Sequence, residues 1–466
     1  MNWEEILSGN AGFAGIQWAL NSPSSRRLLR RDVQKMLQPG YHPGPFHLTR
    51  AKFKPGRHLL AYFNITALDG NDLEGSPLRL AVAWQNELDG DHHLNDWSEL
   101  QEEANHAGLM PVQCDLWSDF PERGLRLRLW PFDPEFPQLV RLSDPSYVVE
   151  MLESLGITRV TGEMPVITPI RYRPGERHVL RYEIGSRNSV LPHGQRLYAK
   201  LYSNAQDAAR AFRIANRAVD WLADNRLELQ GNKPQALSQS DNVILYPHAF
   251  GIPLSHQFHR SRRWLAVQLE IIGRALRSLH DSPEALQAEL KQNNFIDEVK
   301  VVKRASEHIK VLLPETYDKI LDTLDRAQKR YSSLPQERPT FTHSDFKSDH
   351  ILTTSQGLTL IDFDTCKLTD PALDIGKFLA DLEWWFTLKG ITGIEDAQAE
   401  LLRGYVGAGK SESMVRERLA RARLFQVLIL IKIVVRRVPL YQKDWMTTTT
   451  RIIGQAAQIL GKVTEG

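Results

Sequence analysis

The sequence predicts an α+β protein in which sheet-containing segments come first and helices fill the second half. From Pro43 to about Leu139, short runs rich in β-branched and aromatic residues are separated by Gly, Pro, Asn and Asp, which is typical of strands joined by turns. A similar pattern then returns. From about residue 256 onward, apolar residues recur at helical spacing, as at Leu265, Leu269, Ile272, Leu276 and Leu279.

The length and composition set the class of protein. A chain of 466 residues exceeds what one hydrophobic core usually organises, so we expect two or three packed units. With 42% apolar and 24% charged residues, a largely disordered or fibrous chain is excluded. The 58 Lys and Arg nearly balance the 56 Asp and Glu, so charge indicates neither a nucleic-acid partner nor a membrane partner.

The sequence also indicates a cytoplasmic protein. Only Cys114 and Cys366 are present, which makes a disulfide framework or a cysteine zinc site improbable and favours a reducing compartment. The first residues show no secretory signal. The most apolar run, 427–435, is about half the length of a spanning helix and contains Lys432, so we expect a buried helix there.

The N-terminal 40 residues have a helical pattern with arginines at i, i+4 spacing. We expect these arginines to lie on a solvated helix face: Arg26, Arg27, Arg30 and Arg31.

The two sheet-containing segments resemble each other. Residues 53–62 (FKPGRHLLAY) match residues 172–182 (YRPGERHVLRY) if one residue is inserted, and a second strand follows in each. Each segment then has a strand that ends in an aromatic-proline pair, Trp130-Pro131 and Tyr246-Pro247. We infer an internal duplication of a unit of roughly 100 residues. The alternative is two unrelated hairpins that share a common Pro-Gly turn.

The chemistry is concentrated in residues 342–364. Apolar pairs at 351–352 and 360–361 indicate two buried strands around a turn at 354–357, which holds Asp345 and Asp362 at adjacent ends of rigid elements. Two such carboxylates form a metal and general-base site. Phosphoryl transfer needs little else except a cation on the phosphates. The candidate is Lys200, the only lysine between Lys54 and Lys233, on an otherwise apolar strand.

Three motifs in this region carry a family resemblance: HSDFKSDHIL at 343–352, IDFD at 361–364 and DPALD at 370–374. Their order and spacing resemble those of the aminoglycoside phosphotransferase and choline kinase group, a branch of the protein-kinase-like fold. In that group an H-G-D-x-x-x-x-N loop precedes an I-D-F/W-x segment and a D-P-x-x-D turn. The resemblance implies a two-lobed fold with a small β-rich N-lobe and a helical C-lobe.

The resemblance implies roles for residues of the catalytic loop. Asp345 would be the catalytic base that accepts or orients the hydroxyl proton. Lys347 resembles the lysine that protein kinases hold near the transferred phosphate. Asp362 would be the principal Mg²⁺ ligand, and Asp374 would brace the loop.

The resemblance also implies a nucleotide site. Lys200 would pair with the α- and β-phosphates, and its acidic partner could be Asp207 or Asp220. The turn containing Gly175 and Arg177 would lie over the phosphates, and the strand that ends at Tyr246 would be the hinge that binds adenine. The expected cofactors are therefore ATP and Mg²⁺.

One position departs from the family pattern, because His350 stands where the motif has asparagine. Mg²⁺ prefers oxygen ligands, whereas imidazole suits transition metals. Four interpretations stay open: Asp362 holds Mg²⁺ mainly with waters, Mn²⁺ is better tolerated with His350 as a ligand, Asp349 replaces the missing oxygen, or activity has been lost.

These inferences divide the chain into four parts: an N-terminal helical segment at 1–40, a degenerate N-lobe-like domain at 41–150, the N-lobe at 151–255 and the helical C-lobe at 256–466. The first copy of the repeat has no lysine on its matching strand and no aspartate loop after it. We therefore expect a structural cap or a regulatory module that does not bind nucleotide.

The acceptor is not defined by the sequence. Acids and aromatic rings on the helix after Asp374 could hold a cationic acceptor, although a tryptophan core with solvated acids is favoured: Asp381, Glu383, Trp384 and Trp385. We expect the basic residues around the apolar run to lie on a solvated face, with an anionic acceptor as the minority interpretation: Arg416, Arg418, Arg421, Arg423, Lys432, Arg436 and Arg437.

The sequence thus predicts an ATP- and Mg²⁺-dependent kinase that phosphorylates a hydroxyl of a small molecule such as an aminoglycoside, a sugar or an amino alcohol. The competing hypothesis is a catalytically impaired, kinase-like nucleotide-binding or scaffold protein. A protein kinase is disfavoured because no A-P-E-type segment follows Asp362. The oligomeric state is not predicted.

Overall fold

The structure is a computed structural model, and it describes residues 2–69, 75–86, 94–110, 114–157, 164–185, 195–225, 228–407 and 412–465. The chain forms two compact units. The first comprises Met1–Ala209, Pro234–His248 and Pro439–Trp445, and the second comprises Arg210–Lys233, Ala249–Val438 and Met446–Gly466. The division into four parts stays a prediction.

The first unit begins with three helices, α1 (Trp3–Ser8), α2 (Gly12–Asn21) and α3 (Pro23–Met36). Helix α3 starts at Pro23 because proline fits the first helical position and the Ser22 hydroxyl accepts from the Ser25 N–H at 3.0 Å. Its arginines are exposed as expected, except that Arg26 is half-buried with its guanidinium 4.6 Å from the centre of the Phe63 ring.

A first antiparallel sheet follows. Its strands run in the order β1-β3-β4-β6-β5, and β2 also pairs with β3. Helix α4 (Leu94–His106) connects β4 to β5. The strands are β1 (Tyr41–Pro43), β2 (His47–Lys54), β3 (His58–Asp69), β4 (Ser76–Gln85), β5 (Trp117–Phe120) and β6 (Leu125–Leu129).

A second sheet repeats this arrangement after two short helices, α5 (Gln138–Arg141) and α6 (Pro145–Ser154). Its order, β11-β12-β9-β8-β7, matches β5-β6-β4-β3-β2 strand for strand, and a helix again follows the third strand. The predicted duplication is confirmed. The elements are β7 (Val166–Arg173), β8 (Arg177–Ile184), β9 (Gln195–Leu201), α7 (Ala205–Asp224), β10 (Leu229–Gly231), β11 (Ala236–Ser238) and β12 (Val243–Pro247), of which β10 pairs elsewhere.

Strand pairing shows what replaces Lys200 in the first repeat. Leu59 of β3 lies opposite Trp84 of β4, and Val179 of β8 lies opposite Lys200 of β9. Leu59 and Val179 both follow the shared Arg-His pair, so Trp84 occupies the position of Lys200. Its side chain is buried and stacks on Trp3 with ring centres 5.1 Å apart. The cavity beside these rings has only about 10 Å³ of open space, enough for a water at most.

One part of the sequence alignment is wrong. Pro247 lies opposite Leu197, whereas the equivalent position in the first repeat, opposite Ala81, is Arg128. Trp130-Pro131 therefore lies beyond the end of the paired strand and does not correspond to Tyr246-Pro247. The register of hydrogen-bonded strands fixes which residues are equivalent, and a shared dipeptide does not.

The two repeats share one hydrophobic core. Side chains of α5 and α6, including Leu139 and Leu152, pack against Leu180 and Leu197 of the second sheet together with Tyr62 of the first. All but Tyr62 are fully buried. The segment that ends the first repeat therefore supplies a layer of the second.

The second unit is mostly helical and contains two small sheets, ordered β10-β17-β16-β13 and β14-β18-β15. The apolar stripe predicted on α8 is buried throughout. The elements are β13 (Ile252–Pro253), α8 (Arg262–His280), β14 (Lys291–Gln292), α9 (Phe295–Ala305), α10 (Glu307–Leu312), α11 (Pro314–Ser333), β15 (Thr340–Thr342), β16 (Ile351–Thr353), β17 (Leu358–Leu360), β18 (Lys367–Thr369), α12 (Ala372–Lys389), α13 (Ile394–Val406), α14 (Glu412–Arg437) and α15 (Trp445–Glu465).

The apolar run at 427–435 lies in α14, and its apolar side chains are buried. Lys432 within the run donates to Glu298 of α9 at 2.6 Å, and Lys367 donates to the same carboxylate at 3.2 Å. Among the described residues, no helix is long and apolar enough to cross a membrane. The α+β class, with strands concentrated in the first unit and helices in the second, agrees with the prediction.

Candidate active site

The loop at 343–350 connects β15 to the hairpin formed by β16 and β17. Ile351 pairs with Leu360, and the turn at 354–357 joins the strands, as predicted. The Ile361 N–H also donates to the His350 carbonyl at 3.0 Å. This pairing brings His350, which precedes β16, next to Asp362, which follows β17.

Three possible metal ligands converge at this end of the hairpin. Atoms of Asp345, His350 and Asp362 all lie within 4.8 Å of one another. His350 Nε2 is 3.5 Å from Asp362 Oδ2, and its Nδ1 is 3.6 Å from Asp345 Oδ2. Asp362 has a left-handed backbone, with φ of 68°, a conformation that costs energy in a residue with a side chain and is frequent at functional sites.

His350 is neutral at physiological pH. Burial lowers its pKa to about 3, although the carboxylates of Asp345 and Asp362 oppose that shift. Its Nδ1 is buried without a hydrogen-bond partner. Two carboxylates and a neutral imidazole are a donor set that fits a divalent cation, and the imidazole favours a metal such as Mn²⁺ over Mg²⁺.

The carboxylate of Asp345 lies between two lysines. Lys347 Nζ donates to Oδ2 at 2.5 Å, and Lys377 Nζ of α12 lies 2.8 Å from Oδ1. Burial alone would raise the pKa of Asp345, but the ammonium groups of Lys377 and Lys347 overcome burial and hold the pKa well below its usual value. Asp345 is therefore an ionised acceptor.

Helix α12 holds the backbone of the same loop. Asp374 accepts from the N–H groups of His343 and Ser344, both at 2.7 Å, and its side chain is fully buried. This geometry is the one expected of the predicted brace. Ser344 has a φ of 60° at the position where the family motif has glycine, so the brace stabilises a strained residue.

Sequence reasoning missed Lys377 on this helix, and it did not foresee the contact that Asp381 makes with the loop. Asp381 accepts from both the N–H and the hydroxyl of Ser348, and it is fully buried. Burial raises its pKa. The expectation that Asp381 is a solvated acid beside a tryptophan core is therefore wrong. The spacing of Asp374, Lys377 and Asp381, i, i+3 and i+7, places all three on one helix face and was the available signal.

The basic residues of α14 are also not a simple solvated face. Arg421 is 2% exposed and donates to Asp370 at 2.7 Å and to Glu337 at 2.6 Å. Arg418 shares Glu337 and donates to the Tyr405 hydroxyl. The expectation of solvated side chains is wrong here, because the acidic partners lie far away in sequence and a local pattern does not reveal them.

The predicted nucleotide residues lie in the first unit. Lys200 lies on β9 between Val179 and Ile244, and Tyr246 lies on β12 opposite Tyr198. Of the two acids considered as partners of Lys200, Asp220 accepts from Lys233 at 2.6 Å, and Asp207 accepts from Asn204 at 3.0 Å. The nucleotide roles of Lys200 and Tyr246 stay predictions.

The turn expected over the phosphates lies between β7 and β8. The backbones of Arg173 and Arg177 lie opposite each other where the two strands leave the turn. The Gly175 N–H donates to Asp133 of the first repeat at 2.8 Å, and the same carboxylate oxygen lies 2.7 Å from His178 Nε2. The Gly175 amide is therefore already engaged. The roles of Gly175 and Arg177 stay predictions, and a phosphate contact by this amide requires the Asp133 bond to break.

Comparison with known families identifies the class of protein. The model of the phosphotransferase enzyme family (APH) matches residues 178–412, just over half of the chain. The chain belongs to this family, which confirms the resemblance seen in the motifs. The matched region includes the loop, the hairpin and α12. Among curated proteins, none matches the sequence.

Solved structures with a similar fold include a choline kinase from Cryptosporidium parvum Iowa II, at 13% identity and a TM-score of 0.49, covering 69% of this chain and 97% of that one. APH(2″)-IIia in complex with GDP and kanamycin has 12% identity and a TM-score of 0.48, with coverage of 67% and 98%. A choline/ethanolamine kinase family protein from Mesorhizobium loti has 15% identity and a TM-score of 0.43, with coverage of 68% and 99%. Likenesses at this level carry no argument about the substrate.

Proposed function

We propose that this phosphotransferase transfers the γ-phosphoryl group of ATP to a hydroxyl group of a small molecule, with a divalent cation at the site. Family membership supports phosphoryl transfer. The observation that carries the proposal is the convergence of Asp345, His350 and Asp362 within 4.8 Å. An ionised base and a metal-ligand set on one hairpin end are what in-line transfer requires.

Asp362 and His350 would hold the cation. His350 Nε2, which lies 3.5 Å from Asp362 Oδ2, and the two carboxylates fit this use. A bound Mg²⁺ or Mn²⁺ would supply positive charge that neutralises the charge developing on the nucleotide phosphates. We propose ATP with Mg²⁺ as the cofactors, and Mn²⁺ as a replacement that the imidazole favours.

Asp345 acts on the acceptor. Its ionised carboxylate orients the hydroxyl group so that the oxygen faces the γ-phosphorus, and it accepts the proton as the new O–P bond forms. The bond between the γ-phosphorus and the bridging oxygen breaks, and ADP leaves with the electron pair. Lys347, two residues away and paired with Asp345 at 2.5 Å, supplies a positive charge near the transferred group.

The remaining contacts rest on the family resemblance. Lys200 would neutralise the α- and β-phosphates, and the strand that ends at Tyr246 would bind adenine through its backbone. An aminoglycoside, a sugar or an amino alcohol would each offer the required hydroxyl. We propose that the protein has neither a nucleic-acid partner nor a membrane partner. We also propose a cytoplasmic location, which is supported by the buried free thiols of Cys114 and Cys366.

The test is turnover measured as ADP release with a panel of amino sugars, free sugars and amino alcohols. Asp345→Ala and Asp362→Ala should each lower kcat by about 10²-fold or more, and Asp362→Ala should also weaken binding of the nucleotide with its metal. Asp322→Ala on the exposed surface of α11 is the matched control, since its carboxylate only meets Arg326 at 3.5 Å. Full activity in both site variants contradicts the proposal. Nucleotide binding without turnover under either metal favours the scaffold hypothesis.

A further inference from the structure

Helix α12 contacts the catalytic loop at three successive points. Asp374 binds the backbone of His343 and Ser344, Lys377 binds the side chain of Asp345, and Asp381 binds Ser348. The first and last contacts fix the backbone of the loop on either side of Asp345. The middle contact is made to the carboxylate itself.

The two lysines on Asp345 differ in how they are held. Lys347 belongs to the loop and contacts Oδ2, the oxygen that also faces His350 at 3.6 Å. Lys377 contacts Oδ1, on the other side of the carboxylate, and only 9% of the residue is exposed. One ammonium therefore lies on the metal side of the carboxylate, and the other lies behind it.

The backbone beside Lys377 is closely packed against another helix. Its neighbour Gly376 packs so closely on α14 that a Cβ there would lie 2.5 Å from the Ala422 carbonyl oxygen and from Phe425 Cβ. The ammonium of a lysine on a packed helix keeps its position, whereas the ammonium of a lysine on a loop can move with a bound ligand. Oδ1 is thus anchored to the scaffold of the second unit.

We propose that Lys377 is a positioning residue for phosphoryl transfer: its ammonium anchors Asp345 Oδ1, so that Oδ2 faces the metal ligands and the acceptor, and Lys347 beside Oδ2 supplies charge to the transferred phosphoryl group. This inference rests on the proposed function. Lys377 acts through Asp345 and contacts neither nucleotide nor acceptor. Its loss therefore lowers the rate of the chemical step and leaves nucleotide binding intact.

The experiment compares Lys377→Met with wild type in steady-state ADP release, using the most active acceptor of the panel, or water if none is active. We expect kcat to fall about tenfold or more, with the KM for ATP within about twofold of wild type. Lys377→Arg keeps a charge behind Oδ1 and should retain more of kcat than the Met variant. Lys389→Met is the control on the same helix, because the ammonium of Lys389 donates to the carbonyl oxygen of Ser255 and not to Asp345.

The kcat and the KM for ATP of Lys377→Met together test the proposed role of Lys377. A kcat of Lys377→Met close to wild type overturns the proposal, as does a rise in the KM for ATP that accounts for the whole loss. If Met at this buried position prevents folding, Lys377→Gln is measured by the same criteria. Wild-type enzyme without turnover would overturn the proposed function and this role together, whereas an active wild type beside an equally active variant would overturn this role alone.

Discussion

His350 is the residue at which this chain departs most clearly from its family motif. The spacing of the loop places it beside Asp362, where the motif has an asparagine oxygen, and the structure brings its Nε2 to 3.5 Å from that carboxylate. Burial keeps the ring neutral by lowering its pKa to about 3, so the nitrogen can bind a cation. The substitution exchanges a hard oxygen donor for an imidazole.

His350→Asn should therefore shift the metal preference of the enzyme. We expect turnover with Mg²⁺ relative to turnover with Mn²⁺ to rise by about tenfold, since Mg²⁺ prefers oxygen ligands. ADP release with each metal measures the ratio, and titration of Mn²⁺ by electron paramagnetic resonance measures affinity separately. His259→Asn on the exposed surface is the control. An unchanged ratio means that His350 is not a ligand.

At this scale the sequence predicted the convergence of Asp345 and Asp362, because both follow from strand order in one hairpin. It did not predict that Lys377 reaches Asp345, since a lysine 32 positions away carries no local signal of its partner. Nor did it predict that Asp381 is buried. An acid three and four residues before two tryptophans gives the same local sequence pattern whether its side chain is buried or solvated. Only the helical spacing of these residues with Asp374 connects them.

At the scale of elements, α12 is the template of the catalytic loop, and its position depends on the packing of Gly376 against α14. Gly376→Ala should push the two helices apart, because the new methyl group would lie 2.5 Å from Ala422 O and Phe425 Cβ. We expect a loss of about 1–3 kcal/mol in stability and a lower kcat. Thermal unfolding and ADP release measure both.

Gly454→Ala in α15 is the matched control for that prediction. A Cβ there meets only Lys319 Nζ, at 3.8 Å, and alanine is the better helix former by about 0.5–1 kcal/mol. Unchanged kcat in a destabilised Gly376→Ala variant would show that the helix does not control the loop.

The ion pairs between elements predict how stability depends on pH. Burial alone would raise the pKa of Glu298, but the ammonium groups of Lys432 and Lys367 overcome burial and hold the pKa at about 2. Because the folded pKa lies below the usual value of 4.5, the stabilisation is present above pH 4.5 and is lost as the pH falls toward 2. Its size is roughly 3 kcal/mol.

Glu298→Gln should therefore unfold at a lower temperature than wild type at pH 7, and the difference should shrink between pH 4.5 and 2. Thermal unfolding followed by circular dichroism at several pH values gives the difference directly. Glu315→Gln, at an exposed position of α11, should show no such trend. A difference that is constant with pH would contradict the ion pair.

At the scale of the whole molecule, the sequence indicated the duplication but did not indicate how the two repeats pack together. The Pro-Gly turn and the Arg-His pair identified two related sheets. A sequence gives no contacts, so it could not show that α5 and α6 complete the core of the second sheet or that Asp133 binds the turn at Gly175. The first repeat therefore belongs to the folded core of the first unit and is more than an attached cap.

Asp133→Ala should destabilise both repeats together, because it leaves the buried His178 Nε2 without its acceptor and removes the bond that ties the turn at Gly175 to the first repeat. The buried imidazole left without its partner costs about 1–3 kcal/mol. Amide hydrogen exchange should show lost protection in β3 and in β8, whereas Glu153→Ala on the exposed face of α6 should change neither. Lost protection confined to one sheet would contradict a shared core.

The proposed function requires Asp345, His350 and Asp362 to gather around one divalent cation that carries the triphosphate. Anomalous diffraction from crystals grown with Mn²⁺ and a non-hydrolysable ATP analogue tests it directly. We expect a manganese peak within bonding distance of an Asp362 oxygen and of His350 Nε2, with the γ-phosphate on the side of Asp345 Oδ2. A nucleotide whose metal lies away from Asp362 and His350 would contradict it.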